Sequence, residues 1–545
     1  MNSRTFGHRA PLLWVLLPLM AGLVAGNQQW LPLSPVWWAA AAVLAAALAL
    51  ACPRIWAPAL LAGVFLGGAA LYELRRDRLA DWDTLPPREV RVTLEIDRVF
   101  PARANFGNTS GLGRLVASDA HLPELVGQCV YFSLGPKRDE PPPTRAARVA
   151  VTGVLQPLPR HPPSDSFDGY LAAQGMNFKL TRARITGEIT PAGAYPQFRD
   201  AALRRFNALL QHGITAWPEH GNILRAMLLG QHGELSDEQK GVFRESGTMH
   251  LFSISGLHIA VIAGVIHILL GMLRLPALAR VIVGGVLLWL YVDITGGTPS
   301  AVRAFLMVMF LHASHVLRRP GSPLSALVAS AVCVLLIHPL QLFTASFQLS
   351  YGIVASLLLL GLPLGERWME RGASFTSLPK VTWRWYHHGI DACWRWTLGV
   401  IAIGLSTSVV SAISGVVIFN LFTPVSLLAN LVLIPVGSLV IISGFLSLLC
   451  GLLGLTWISL VLNHASVLLL MAIERGVRFF VEMPGAFHAA RFSSEWLGYT
   501  AFAGLVAVIL FGYAHNWELR RGGFWTPFLF TALALFAGIR FVTPI

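Results

Sequence analysis

The stretch Thr248-Met-His-Leu-Phe-Ser-Ile-Ser-Gly-Leu-His-Ile259 opens the most apolar half of the 545-residue chain. It carries two histidines, two serines and a glycine where lipid would favour leucine. Polar side chains and irregular backbone are tolerated at membrane depth only where they face protein or a water-filled cavity. The stretch therefore predicts a segment that lines the interior of the protein, along a path for a transported molecule, and not a surface in contact with lipid.

The composition indicates a polytopic α-helical membrane protein. Hydrophobic residues make up 54% of the chain and charged residues 13%, with a mean hydropathy of +0.60, whereas a soluble domain has roughly 25% charged residues. Crossing a bilayer takes about 20 helical residues, and the sequence predicts about thirteen such helices. The run 424–450 contains Pro435 and Gly437 and could instead form two half-helices. The predicted spans are residues 11–26, 35–51, 55–73, 249–273, 278–295, 300–317, 323–338, 345–362, 397–419, 424–450, 456–473, 497–513 and 524–541.

The net charge of +13 fits attraction to anionic lipid and to nucleic acid equally well. Arginines of the short loops alternate in a way that places the N-terminus in the cytoplasm, because positive residues stay on the cytoplasmic side. This alternation predicts a multi-pass protein of the cytoplasmic membrane. The soluble insert that follows the third span is then expected outside the membrane.

Residues 75–197 lack a run of spanning length and are rich in proline, and we expect them to form a small extracytoplasmic β domain. About five strand-like segments fit a small barrel, including the OB type that binds oligonucleotides. Phe100, Phe106, Tyr131 and Phe132 could stack on bases, as in single-strand binders, or serve as ordinary core residues. The predicted strands are Val90–Ile96, Leu112–Ala117, Cys129–Leu134, Ala147–Val154 and Phe178–Ile189.

The remaining chain divides by composition. Ser236 and Gln239 have capping-box spacing, which predicts a helix that runs to about Ser246 and ends at Gly247. The predicted units are N-terminal transmembrane helices (1–74), the β domain (75–197), an amphipathic helical linker (198–247), a channel-type transmembrane domain (248–485) and C-terminal transmembrane helices (486–545).

Several strings together resemble the ComEC family of competence proteins, in the order that the family has them. The end of the β domain, Phe167-Asp-Gly-Tyr170 with Gln174-Gly-Met176, is also similar to the family's OB-like domain. The similarity is strong from 230 to 435. The strings are Gly230-Gln-His-Gly-Glu-Leu-Ser236, Phe243-Arg-Glu-Ser-Gly-Thr-Met-His-Leu-Phe-Ser-Ile-Ser-Gly-Leu-His258, Thr295-Gly-Gly-Thr-Pro-Ser-Ala-Val-Arg-Ala304, His338-Pro-Leu with Phe347-Gln-Leu-Ser-Tyr351, and Thr423-Pro-Val-Ser-Leu-Leu-Ala-Asn-Leu-Val-Leu-Ile-Pro435.

The resemblance implies an inner-membrane channel that passes single-stranded DNA into the cytoplasm during natural transformation. Its expected partners are membrane lipids, an extracytoplasmic DNA receptor and a cytoplasmic ATP-driven translocase, and an oligomer is left open. Two alternatives are open for the nuclease: a separate protein supplies it, or the sequence is a truncated or divergent form. Many family members carry a C-terminal metallo-β-lactamase-like domain, but the sequence ends at Ile545 and none of its 17 histidines lies in that metal motif. Since a phosphate-binding Gly-x-x-x-x-Gly-Lys-Ser/Thr loop is also missing, we expect neither an enzyme nor a cofactor.

DNA carries about one charge per nucleotide, so a path through hydrocarbon needs donors and positive potential. Arg303 is the strongest candidate, because a guanidinium can bind phosphate with two hydrogen bonds. His250 and His258 are eight residues apart and would share a helix face. The other predicted pore residues are Ser253, Ser255, Gly256, Gln348 and Asn430.

Each candidate has a structural alternative. Arg303 could form an ion pair with Asp293, Gln348 and Asn430 could join helices, and Gly256 could be a packing contact. Two histidines without a cysteine or carboxylate pattern do not predict a metal site. The main rival function is a secondary transporter of an organic anion or lipid, which also has broken polar helices; a scaffold for partner proteins is the second.

Overall fold

The computed structural model describes residues 10–30, 34–76, 82, 84–100, 108–135, 143–159, 162, 166–190, 192–231, 233, 235–252, 254–317, 321–372, 374–375 and 378–541. Three apolar helices come first: α1 (Leu13–Asn27), α2 (Pro35–Ala51) and α3 (Trp56–Arg75). Helix α3 packs against both others. The backbone carbonyl of Phe65 lies where a Cβ of Gly22 would be, at 1.9 Å, so α1 and α3 approach each other closely because Gly22 has no side chain.

Five strands form a closed barrel in the order β1-β2-β3-β5-β4, with β1 also paired to β4. Only the β3–β5 pair is parallel. Val90, Val92, Leu94 and Ile96 alternate along β1 and are at most 3% exposed, so one face of the strand fills the barrel. The predicted five-stranded, OB-like barrel is confirmed. Its elements are β1 (Arg88–Val99), β2 (Thr109–Ser118), β3 (Cys129–Leu134), β4 (Arg148–Pro157), the short helix α4 (Phe167–Ala173) and β5 (Phe178–Thr190).

Three helices link the barrel to the second membrane block: α5 (Ala194–Gln211), α6 (Pro218–Leu229) and α7 (Asp237–Glu245). The predicted capping box starts α7, with Gln239 N–H donating to Ser236 Oγ at 3.1 Å and Ser236 N–H donating to Gln239 Oε1 at 3.1 Å. Gly247 then adopts a φ of 70°, which only glycine reaches without steric cost.

The second block continues from a 3₁₀ turn (Met249–Phe252) to the end of the chain. Its helices are α8 (Gly256–Met272), α9 (Ala277–Ile294), α10 (Pro299–Val316), α11 (Pro323–Ile337), α12 (Ala345–Ser356), α13 (Leu362–Arg371), α14 (Trp385–Phe419), α15 (Ser426–Leu452), α16 (Thr456–Val481), α17 (Glu495–Ala514) and α18 (Thr526–Gly538). A 3₁₀ turn (Pro339–Phe343) precedes α12, and a π turn (Leu357–Gly361) joins α12 to α13. Strands β6 (Leu421–Phe422), β7 (His488–Phe492) and β8 (Ile539–Phe541) form a small sheet.

Seven helices in the described part of the chain are long and apolar enough to cross a membrane, and four shorter apolar helices accompany them. The chain is therefore a multi-pass membrane protein, while the count of about thirteen spans is not confirmed. One detail differs from the prediction: the span expected at 249–273 becomes α-helical only at Gly256. The run around Pro435 is one helix, as predicted for a single span, and the alternative of two half-helices is not formed.

Candidate functional site

Distant segments of the sequence meet around Gly247. A Cβ on this residue would lie 2.7 Å from Ser426 Cβ and 3.2 Å from Thr423 Oγ1. The start of the 423–435 segment therefore sits directly against the turn that opens the 248–259 stretch. Two features favour glycine at position 247: its φ is positive, and Ser426 and Thr423 lie too close for a Cβ.

Ile254 follows the 3₁₀ turn and is contacted by two further motifs, the one that begins at Gly230 and the one at 295–304. Ser300 Oγ, in the first turn of α10, donates to the carbonyl oxygen of Ile254 at 2.8 Å. A Cβ on Gly230 would lie 3.3 Å from Ile254 Cδ1 and 3.7 Å from the carbonyl oxygen of Thr295. Four motifs that are far apart in sequence thus form one cluster, which we call the motif corner (residues 230, 247–252, 254–256, 295–304 and 423–426).

Ser255 and His258 form the N-terminal cap of α8. His258 Nδ1 accepts from the backbone N–H of Ser255 at 3.3 Å and lies 2.8 Å from Ser255 Oγ. His258 is fully buried, whereas His250 is exposed in the 3₁₀ turn. The predicted shared face of His250 and His258 is therefore wrong, because the helix begins only at Gly256. Ser253 lies outside the described residues.

Gly256 is the first residue of α8 and faces α10. A Cβ there would lie 3.8 Å from Ala304 Cβ, which is ordinary van der Waals distance. Gly256 therefore brings the start of α8 next to the turn of α10 that carries Arg303.

Arg303 is 1% exposed, and Arg199, at 6%, is the other buried arginine among the described residues. Its Nη1 donates to Gln341 Oε1 at 3.1 Å, and its Nη2 donates to the carbonyl oxygen and to Oγ of Ser346, both at 2.7 Å. The guanidinium also lies 6.0 Å from the centre of the Phe347 ring. These partners are neutral, and Nε is buried without a hydrogen-bond partner among the described residues. The positive charge of Arg303 is therefore not balanced by a carboxylate within 4.0 Å in this part of the structure.

The predicted ion pair between Asp293 and Arg303 is not formed. Asp293, at the end of α9, instead accepts from Arg145 Nη1 at 3.2 Å and from Tyr195 Oη at 2.8 Å, and Arg199 Nη1 lies 4.0 Å away. The hydrogen bond to Asp293 raises the pKa of the Tyr195 phenol, with burial adding to the effect. The reason for the error is direction: Asp293 points to the barrel and linker, while Arg303 points into the helices.

The two predicted amide residues lie in different places. Gln348, in α12, donates from Nε2 to the carbonyl oxygen of Leu342 at 3.3 Å, so it stabilises the same turn that holds Arg303. Asn430, in α15, has a buried Oδ1 without a hydrogen-bond partner among the described residues. Gln348 thus belongs to the surroundings of Arg303 through a local contact, and Asn430 has no such link.

The barrel domain contacts the membrane helices near Arg303 at two points. Arg145, in the turn before β4, binds Asp293 just ahead of the 295–304 motif. On the other side, a Cβ on Gly175 would lie 3.3 Å from Leu340 Cδ1, next to the Gln341 that holds Arg303. The barrel domain thus contacts the end of α9, ahead of the 295–304 segment, and the turn that carries Gln341.

An aromatic surface covers one side of the barrel. Phe100 stacks on Tyr131 with ring centres 6.3 Å apart, and Phe167 stacks on Tyr170 at 6.1 Å. Phe167 is 51% exposed and Tyr170 is 40% exposed. Arg98 lies 5.9 Å from the Phe100 ring centre, so a cation accompanies the rings. We call Phe100, Tyr131, Phe167 and Tyr170 the aromatic patch.

The structure separates the two roles left open for the aromatic residues of the barrel, base stacking and packing in the core. Phe132 is fully buried in the barrel core and cannot reach a base, and Phe106 lies outside the described residues. Phe167 and Tyr170 were quoted for the family resemblance but were not predicted to stack. Their spacing of three within a short helix, which puts both rings on one face, is the signal that could have found them.

A buried polar network was also missed. Ser447 Oγ donates to Asn463 Oδ1 at 2.6 Å, and Asn463 Nδ2 donates to the carbonyl oxygens of Leu209 and His212 at 2.8 and 3.0 Å. Ser447 and Asn463 are both fully buried. The network joins α15 and α16 to the end of α5 and so fastens the linker to the helices. Among the described residues, no group of three or more His, Cys, Asp or Glu side chains is placed to hold a metal ion.

These features define a class: a multi-pass helical membrane protein with an OB-like barrel and a cluster of contacts between motifs that are far apart in sequence. A family model described as Competence protein matches residues 227–517, more than half of the 545-residue chain. The chain therefore belongs to the competence protein family, and the resemblance to ComEC proteins is confirmed.

Curated relatives agree over the same part of the molecule. The chain is 29% identical over 215 residues to ComE operon protein 3 of Bacillus subtilis, an alignment that covers 38% of this chain and 27% of that protein. It is 24% identical over 227 residues to Recombination protein 2 of Haemophilus influenzae, covering 40% and 27%. It is 25% identical over 240 residues to the uncharacterized protein YcaI of Escherichia coli, covering 42% and 29%. The aligned regions thus span less than a third of each relative, and no solved structure matches the chain.

Proposed function

We propose that this protein passes single-stranded DNA across the bacterial cytoplasmic membrane during natural transformation. The barrel receives the strand outside the membrane, and the helices around the motif corner conduct it inward. The observation that carries the proposal is that the barrel domain contacts two segments close to a buried arginine. Arg145 binds Asp293, ahead of the segment that carries Arg303, and Gly175 lies against Leu340, next to the Gln341 that binds Arg303. The hydrogen-bond partners of Arg303 are neutral.

The aromatic patch supports the first step. Bases of any sequence stack on aromatic side chains, and each stacked base contributes about 1–3 kcal/mol to binding. Phe167 and Tyr170 offer exposed rings three residues apart, and Arg98 lies beside the neighbouring ring of Phe100. Rings provide affinity without sequence preference, which uptake of arbitrary DNA requires.

Arg303 supports the second step. A guanidinium surrounded by neutral acceptors keeps its positive potential, and in a medium of low dielectric constant that potential acts more strongly on a nearby anion than it would in water. Its Nη1 and Nη2 are occupied by Gln341 and Ser346. A phosphate that binds Arg303 must therefore displace a neutral side chain, which costs less than the separation of an ion pair.

The remaining parts of the proposal concern orientation and partners. The N-terminus faces the cytoplasm and the barrel faces outward, as the arginine distribution predicts. An outer DNA receptor delivers the strand, a nuclease removes its complement, and an ATP-driven translocase pulls it from the cytoplasmic side. In this arrangement the protein contributes the passage, and other proteins contribute the energy.

The test is deletion of the coding sequence in a transformable host, followed by separate measurement of labelled DNA in the periplasm and in the cytoplasm. We expect DNA to accumulate outside the membrane and cytoplasmic DNA to be lost. Re-expression of the wild-type chain is the control and should restore entry. Normal cytoplasmic entry in the deletion strain would overturn the proposal, and a loss of both pools would place the protein at an earlier step.

A secondary transporter of an organic anion or lipid is the rival. If the rival is right, the purified protein should bind labelled single-stranded DNA weakly or with no dependence on salt. A site that binds DNA should lose affinity steeply as the salt concentration rises, because binding releases counterions from the phosphates. Titration of the full chain with a labelled oligonucleotide at two salt concentrations separates the two functions.

A further inference from the structure

A pocket lies between α8, α9 and α10, at the ends of the three helices that are away from the motif corner. It is lined by His267 in α8, Arg280 in the first turn of α9 and His312 near the end of α10, with Gly284, Gly285 and Met309 forming its wall. Its volume is about 20 Å³. A recess of this size admits one water molecule or one oxygen atom of a larger group.

The polar groups of the pocket are all donors or bases. The rings of His267 and His312 are stacked, with centres 5.0 Å apart and planes inclined by 27°. Arg280 contributes a permanent positive charge. The wall contains no carboxylate. Among the described residues, none of these three side chains forms an ion pair within 4.0 Å, and the buried Nε of Arg280 has no hydrogen-bond partner.

An unsatisfied guanidinium donor inside a helical bundle is unfavourable unless a ligand supplies an acceptor. The neighbouring imidazoles can each donate one N–H even when neutral, so three side chains with donor groups line one recess. Several donors without a carboxylate select for an anion with several acceptor oxygens, and phosphate matches a guanidinium particularly well.

We propose that this pocket binds one phosphate group, supplied by the headgroup of an anionic phospholipid. One phosphate oxygen enters the recess between Arg280 and the two histidines, while the rest of the headgroup stays at the mouth. The position supports the lipid source. Arg280 and His312 lie within about one turn of their helix ends, and α9 presents exposed apolar residues, including Leu278, Ile282 and Val286, along which acyl chains can lie.

The test uses the purified full chain in detergent, with thermal unfolding followed by tryptophan fluorescence. Phosphatidylglycerol, phosphatidylcholine or inorganic phosphate is added to separate samples. We expect phosphatidylglycerol to raise the midpoint of the wild-type protein by at least about 3 °C, because a ligand that binds only the folded state stabilises it. The shift should disappear in Arg280→Gln and be reduced in His312→Gln.

Arg274→Gln is the matched control, since Arg274 is an exposed arginine six residues earlier in the same region of the chain. It should keep the wild-type shift, and Arg280→Lys should keep part of it, which separates loss of binding from misfolding. A shift from inorganic phosphate that Arg280→Gln abolishes would support the pocket with free phosphate as the source. Equal shifts in wild type and Arg280→Gln, or equal losses in Arg274→Gln and Arg280→Gln, would overturn the pocket.

Discussion

Arg145 and Arg303 lie at two levels of the same region, and their charges are treated differently. At the contact between barrel and helices, Arg145 meets the carboxylate of Asp293, and its side chain is 37% exposed. Inside the helices, Arg303 is 1% exposed and donates hydrogen bonds to the neutral Gln341 and Ser346, with the Phe347 ring nearby. The outer arginine is partly exposed and paired with a carboxylate, whereas the inner one is buried without a carboxylate partner among the described residues.

The difference indicates two roles. A partly exposed ion pair contributes little to stability and mainly fixes the orientation of two surfaces. A buried charge without a counterion is costly and persists in proteins mainly where function uses the charge. The barrel contact is therefore interpreted as a structural joint, and the Arg303 site as the place where an anion is handled.

The largest expected effect is that of Arg303→Gln on DNA entry. Loss of a charged donor costs about 1.5–3 kcal/mol, or roughly tenfold to a hundredfold in transport. We expect cytoplasmic DNA to fall by that factor while periplasmic DNA and protein level stay unchanged. Labelled DNA in both compartments, with immunoblotting of membranes, is the measurement.

Arg145→Gln is the matched control, because it removes the same charge from the neutralised position. It should leave entry within about threefold of wild type. If both substitutions reduce entry equally, the comparison between the two arginines fails. If Arg303→Lys restores most of the activity, charge matters more than the geometry of the guanidinium.

The sequence predicts the local features of this arrangement, such as strands and helix caps, but not the contacts between distant segments. The barrel strands are short, alternate at period two and are separated by turn residues, so local patterning was sufficient to predict them. Gly247 and the Ser236 cap were likewise predictable, since both act within a few residues. The partner of Asp293 was not, because Arg145 is 148 residues away and sequence spacing favoured the nearer Arg303.

The motif corner illustrates the same limit. The strings were recognisable one by one, but nothing in them fixes how Ser300 meets Ile254 or how Ser426 meets Gly247. The helix start at Gly256 was missed because the run from 249 is apolar enough to continue a span. Hydrophobicity predicts which residues enter the membrane, whereas the cap formed by Ser255 and His258 determines where the helix begins.

A middle-sized effect is expected at the outer level from the aromatic patch. Phe167→Ala combined with Tyr170→Ala removes both rings of one stacked pair, which together offer a surface for about one base. Single-stranded DNA binding should therefore weaken by roughly fivefold to a hundredfold, since one stacked base is worth about 1–3 kcal/mol. Fluorescence anisotropy of a labelled oligonucleotide with the full chain measures it. Val126→Ala removes another exposed apolar side chain of the barrel and should leave binding unchanged. Undiminished binding by the double variant would remove the patch from the path.

The smallest expected effect concerns the joint itself. Asp293→Asn should weaken the contact between barrel and helices by at most about 1 kcal/mol, because Arg145 is partly hydrated and can recover solvation when its partner is lost. A double-mutant cycle of Asp293→Asn and Arg145→Gln, measured by thermal unfolding, should give a coupling energy in that range that shrinks at high salt. The Asp293→Asn single variant should cost more than the Arg145→Gln single variant, since Asp293 also binds Tyr195 and lies near Arg199. A coupling energy of about 3 kcal/mol or more, independent of salt, would mean that the pair of Arg145 and Asp293 is as shielded from solvent as Arg303. The proposed difference between the two arginines would then be wrong.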